Sequence, residues 1–205
     1  MFMLDIETTG IDPETEDLLQ IALIEMVPTG TGFYHPGKQF NLFQGTKRYP
    51  ESEFANTHMA GLYATCRETP VKSSAEIRAQ ILDFYSLCDP ETPPEQTRIC
   101  GWNASSFDLP FLVKKRCLRP PGYEQVDGKD VEVGDYSYRI YEMGGAVAIA
   151  VDVLRIPAED RKAFLDRALQ SDPVDISLPP GGEHNAVFDC YRQIKMVNGL
   201  IALLR

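Results

Sequence analysis

The sequence predicts an α/β domain on a mixed five-stranded sheet, with three antiparallel strands followed by parallel crossovers and helices on its flanks. Three observations predict this. Three strand-like runs open the chain with no helical repeat between them. Helix and strand patterns then alternate to the end. Of the 205 residues, 43% are hydrophobic, enough for a sizeable core in one domain spanning 1–205.

The elements follow in order. Residues 1–7 alternate, with Met1, Met3, Asp5 and Glu7 on one face and Phe2, Leu4 and Ile6 on the other. "TTG" and "DPETED" break that strand. Residues 18–27 form a second strand, stopped at Pro28, and 32–44 a third, antiparallel to it, with Pro36-Gly37 marking a bulge or an edge. A long connection, 45–72, holds a short helix near 56–65. Residues 74–88 are helical, with Ile77, Ile81, Leu82 and Tyr85 at three- and four-residue steps and Ser74 as a cap. A fourth strand, 97–103, lies beside the first. A helix over 107–119 takes Pro110 in its first turn, where a missing N–H costs nothing. The Gly-rich stretch 120–145 reads as a hairpin insertion turning at Gly134-Asp135. The apolar run "AVAIAVDVL", 146–154, reads as a buried fifth strand. A helix over 158–170, a Pro/Gly loop over 171–183 and a last helix over 185–204 complete the chain; the apolar end "GLIALL" is expected in the core.

Composition narrows the function. No run of 18 apolar residues occurs, so no transmembrane helix or membrane partner is expected, and no basic-then-apolar leader opens the sequence. Five cysteines without a CxxC pair read as reduced thiols, which points to a cytoplasmic protein without a zinc site. The net charge of −10 argues against non-specific binding of long nucleic acid, unless carboxylates are neutralised locally by cations. Basic clusters at 113–119, Lys47-Arg48 and Arg161-Lys162 read as solvated faces.

Several acids do not fit that ordinary picture. Period two puts Asp5 and Glu7 on one side of the first strand, about 7 Å apart along it. Like charges so close raise each other's pKa unless a cation lies between them, and hard divalent cations take oxygen ligands. The ordinary alternative is a strand with one polar face. Asp108 follows the fourth strand, at the end where open α/β sheets place ligands; its ordinary alternative is a helix N-terminal acid. Asp189 lies on the last helix. His184, five residues earlier, would be about 140° away on a continuous helix. With His184 in the loop before the helix, loosened by Gly181-Gly182, both reach one point. Its ordinary alternative is a histidine bonded at a helix start.

"LDIETTG", "NASSFD" and "HNAVFD" resemble the three exonuclease motifs of the DEDDh family, the DnaQ-like 3′–5′ exonucleases, in the same order and over essentially the whole chain. The resemblance implies a ribonuclease-H-like fold. It also implies Asp5, Glu7, Asp108 and Asp189 as ligands of two divalent cations, Mg²⁺ or Mn²⁺, with His184 as general base. It assigns Thr8, Thr9, Ile11 and Phe107 to the terminal sugar and base, and Asn103 to steadying the site. "ANTHMAGL" is similar to the family's His-Gly-Ile-Thr segment and puts His58 beside the terminal nucleotide, although Met59-Ala60 depart from it. The 120–145 stretch has no counterpart. The expected reaction is hydrolysis of single-stranded nucleic acid from its 3′ end to nucleoside 5′-monophosphates. "ETTG" leans to DNA. The acidic surface favours short substrates and keeps an RNA-trimming or oligoribonuclease-like enzyme as the alternative. A non-catalytic exonuclease-fold binding module is the alternative of another class. Proofreading would require a polymerase or other protein partner in trans.

Overall fold

The computed structural model describes residues 1–205. Strand β1 (Phe2–Thr8) is the middle of a five-stranded sheet. On one side it pairs antiparallel with β2 (Leu18–Pro28), which pairs antiparallel with the edge strand β3 (Tyr34–Phe43). On the other side it pairs in parallel with β4 (Ile99–Gly101), and β4 pairs in parallel with the two-residue edge strand β7 (Tyr141–Glu142). The strand order is β3-β2-β1-β4-β7. The register slips opposite Pro36, where the β3 edge tolerates a residue without an N–H.

The alternation of β1 divides the core. Phe2, Leu4 and Ile6 pack with α3 (Ser74–Cys88) and α4 (Asp108–Lys114) on one face. Met3 packs with α5 (Met143–Val153), α6 (Arg161–Gln170) and α7 (Ala186–Leu203) on the other. A smaller cluster under α1 (Glu53–His58) and α2 (Ala60–Glu68) gathers Leu19, Ala55, Met59, Tyr63 and Cys66. The crossing of α6 over α7 depends on Gly199, where a Cβ would lie 1.7 Å from the Ala168 carbonyl oxygen. The apolar end of α7 is only partly core: Leu200 is buried and Leu204 exposed.

Four expectations are corrected. The run 146–154 is not a strand but most of α5; the fifth strand is β7, just before it. Met143, Val147, Ala150 and Val151 are buried at helical steps, while Ile149 and Val153 face solvent. Apolar continuity cannot separate a buried strand from a helix, and three alanines among β-branched residues favour the helix. The insertion does form a hairpin, β5 (Gly122–Val126) with β6 (Lys129–Val133), but it turns at Asp127-Gly128, both with positive φ. Gly134-Asp135 is its base instead. The helix expected at 56–65 is two helices, α1 and α2, meeting at Met59. The cap of α3 is Ser73, not Ser74: Ser73 and Glu76 form a reciprocal capping box.

Candidate active site

The site forms where β1 and β4 end. β4 stops at Gly101, having paired with β1 only at Phe2 and Met3, so the Ile6 N–H further along β1 has no strand partner. Asp108, in the first turn of α4, supplies one: its Oδ1 accepts from Ile6 N at 3.0 Å. Asp108 is 3% exposed, and the reason it is buried is this bond across the end of the sheet.

Asp5 and Glu7 point from the same face of β1, as the alternation requires. Asp189, one turn into α7, completes the group. One carboxylate oxygen from each of Asp5, Glu7 and Asp189 lies within 4.8 Å of the others. α7 is held over them from its first residue. Asn185 caps it by accepting from Val187 N and Phe188 N, and the Ala186 N–H donates to the fully buried Gln20 Oε1 of β2 at 3.1 Å.

His184 precedes the cap, with φ +64°, after the positive-φ pair Gly181 and Gly182. It therefore lies off the helix, and its N–H donates to Asp189 Oδ2 at 2.9 Å. Its ring and that of Phe54 meet at a near-right angle, 4.7 Å between centroids, and it lies 5.7 Å from the His58 ring. His58 thus reaches the site through its contact with His184 and Phe54. Thr8 and Thr9 turn their hydroxyls to the loop after β1, Thr8 donating to the Gly10 carbonyl and Thr9 to Glu16. Ile11 is 85% exposed at the tip of that loop. Phe107 packs on Phe111 just before α4, and Asn103 holds the loop after β4 with φ +59°.

The electrostatics match the crowding. Burial, then the charges of Asp108, Glu7 and Asp189, raise the Asp5 carboxyl well above the usual carboxylate range. Burial, then Asp189 and Asp108, push Glu7 up to about 8. Burial pushes Asp108 to about 7 against its bond from Ile6 N. Burial also raises Asp189, opposed by the His184 N–H. None of the four pairs with a lysine or arginine. Hard oxygen donors with no protein cation among them fit a divalent metal ion.

Three supporting residues escaped the sequence reading. Gln193 donates through Nε2 to Asp5 Oδ1 at 3.0 Å, and its Oε1 accepts from Trp102 N at 2.9 Å. It stands four residues after Asp189, and that helical spacing was a usable signal. Glu142, at the end of β7, accepts from Asn103 N at 2.5 Å and from Ser105 N and Oγ at 3.1 and 2.8 Å. Nothing in the sequence pointed to it. Phe54 was hidden among the polar residues of the 45–72 connection.

No family model matches the chain. Over 117 residues, 56% of its length, it is 30% identical to an oligoribonuclease of Pseudomonas syringae pv. syringae (strain B728a); the match spans 62% of that protein. A full-length 3′-exonuclease superposes with a TM-score of 0.55 at 13% identity, covering 98% of this chain and 80% of that one. Exonuclease X, solved with 5′-overhanging duplex DNA, superposes with a TM-score of 0.50 at 15% identity, covering 98% and 90%. No helix is long and apolar enough to cross a membrane. The chain shares its α/β fold, built on the mixed five-stranded sheet, with these two exonuclease structures.

Proposed function

We propose that the chain is a single-domain, metal-dependent 3′–5′ exonuclease that trims single-stranded nucleic acid, DNA in preference, to nucleoside 5′-monophosphates. The observation that carries this reading is the convergence of Asp5, Glu7 and Asp189 within 4.8 Å, with the His184 main chain bonded to Asp189. The partial match to an oligoribonuclease supports the RNA-trimming alternative on short substrates.

In this reading Asp5, Glu7, Asp108 and Asp189 hold two divalent cations, Mg²⁺ or Mn²⁺. When bound, such a pair supplies an acidified water and relieves charge on the phosphoryl group. His184 takes the proton from the attacking water, and its place off the helix, on a glycine-loosened loop, lets the ring approach and withdraw. Thr8 and Thr9 line the terminal sugar. Ile11 and Phe107 bracket the terminal base, with His58 beside it, and Asn103 steadies the loop that presents Asp108. None of these groups reads base identity.

Asp5→Ala and Asp189→Ala should each abolish Mg²⁺-dependent release of mononucleotides from a 3′-labelled single strand, and full activity in both would end the metal-site reading. His184→Ala should lose about 10²–10⁴-fold in rate while still binding Mn²⁺. Matched DNA and RNA oligonucleotides of two, five and twenty nucleotides separate the two substrate classes.

A further inference from the structure

A cleft opens beside the carboxylates, away from the residues assigned to the terminal sugar and base. It encloses about 470 Å³ and shares Asp5, Glu7, His184 and Asp189 with the site. None of Thr8, Thr9, Ile11, His58 or Phe107 lines it. Its other half includes Trp102 on the loop after β4, Leu165 and Leu169 on α6, and Met196 on α7, together with the charged side chains of Lys162, Asp166 and Arg192.

Trp102 is the chain's one tryptophan and stays 39% exposed. Its backbone is not free to drift, because the Gln193 amide bonds Trp102 N on one side and Asp5 on the other. The backbone that carries the indole is therefore tied, through Gln193, to the Asp5 carboxylate. The two cations are held only by exposed partners: Arg192 Nη1 lies 3.0 Å from Glu183 Oε1, and Lys162 Nζ 2.8 Å from Asp166 Oδ2. Exposed pairs of this kind contribute little, so an incoming phosphate can take either cation from its carboxylate. A flat aromatic, an aliphatic and thioether floor and two available cations make up the chemistry that receives a stacked base with its phosphate.

We propose that this half of the cleft is a second nucleotide subsite, which stacks the base next to the 3′-terminal one on Trp102 and takes a backbone phosphate at Arg192 and Lys162. The proposal rests on the exonuclease reading and deepens it. Substrate is gripped on both sides of the scissile linkage, while the released monophosphate keeps only the terminal pocket.

Because Trp102 is the single tryptophan, its emission reports this subsite alone. With Ca²⁺ in place of Mg²⁺ to suppress turnover, a single-stranded pentanucleotide should quench it. A nucleoside 5′-monophosphate, at a concentration that inhibits hydrolysis, should leave it unchanged. Trp102→Ala should raise KM for the pentanucleotide about tenfold with kcat within about twofold, and Trp102→Phe should recover most of the loss. The quenching arm uses the unaltered protein and needs no variant to fold. No quenching at saturating pentanucleotide, or equal quenching by the monophosphate, overturns the subsite and leaves the exonuclease reading standing. Quenching by the pentanucleotide without Mg²⁺-dependent release overturns the exonuclease reading and keeps the cleft as a strand-binding site.

Discussion

Asp135 is buried and Asp5 half-buried at the floor of a cleft, and the two carboxylates are treated in opposite ways. Asp135, 2% exposed at the base of the hairpin, is surrounded by donors. Arg78 grips it with two bonds of 2.6 and 2.7 Å, and Arg119 N adds a third at 2.7 Å. Asp5 has one amide donor and three carboxylate neighbours. The first is a joint, fastening the end of the insertion to α3. The second is left electrostatically incomplete by the protein itself. The contrast in partners separates a structural acid from a candidate ligand.

Substitutions at the two positions should therefore diverge. Asp5→Asn should remove nucleotide release altogether yet raise Tm in EDTA, because it relieves repulsion; a lowered Tm would mean that Asp5 has a structural partner after all. Asp135→Asn should do the reverse. It should keep activity and lose about 3 kcal/mol, on the order of 10 °C in Tm, because Arg78 would be left against a neutral amide.

The pH dependence follows from the same asymmetry. Glu7 is held at about 8 and Asp108 at about 7, both above their unfolded values, so between about pH 4.5 and 8 the folded metal-free protein holds more protons than the unfolded chain. Stability in EDTA should fall as pH rises through that window. Mg²⁺ should raise Tm more at pH 8 than at pH 5.5. A Tm in EDTA that climbs steadily over this range would contradict it.

Smaller effects are expected from the groups that hold the site in place. Glu142→Ala frees the loop from Asn103 to Ser105 and should lower kcat about tenfold with the fold intact by circular dichroism. Phe54→Ala removes the ring packed against His184 and should lower kcat about two- to tenfold, with Phe54→Tyr close to the original. An unchanged kcat in either variant would make that contact incidental to the reaction.

Much of this arrangement was legible in the chain because local rules carried it. The period of β1 put Asp5 and Glu7 on one face, and the angular argument for His184 and Asp189 required the histidine to precede the helix, where it lies. Legibility ended where tertiary contact decides. Residues 146–154 are apolar enough for either structure, and the sheet had already been closed by two residues of β7. Asp108 was read as a helix-start acid or a ligand, but its bond to Ile6 N exists only because β4 is three residues long. Glu142 acts across 39 residues of sequence, with no pattern that announces the contact.

The bond from Gln193 to Asp5 spans 188 residues, and the one from Asp108 to Ile6 spans 102. Such separations give the site an order of assembly as well as a shape. A ribosome delivers Asp5 and Glu7 first and Asp189 near the end of this sequence, and a domain folds as a unit. Until α7 docks through Asn185 and Gln20, the two early carboxylates lack both Asp189 and the histidine before it. The proposed metal site is therefore complete only once the last helix has docked.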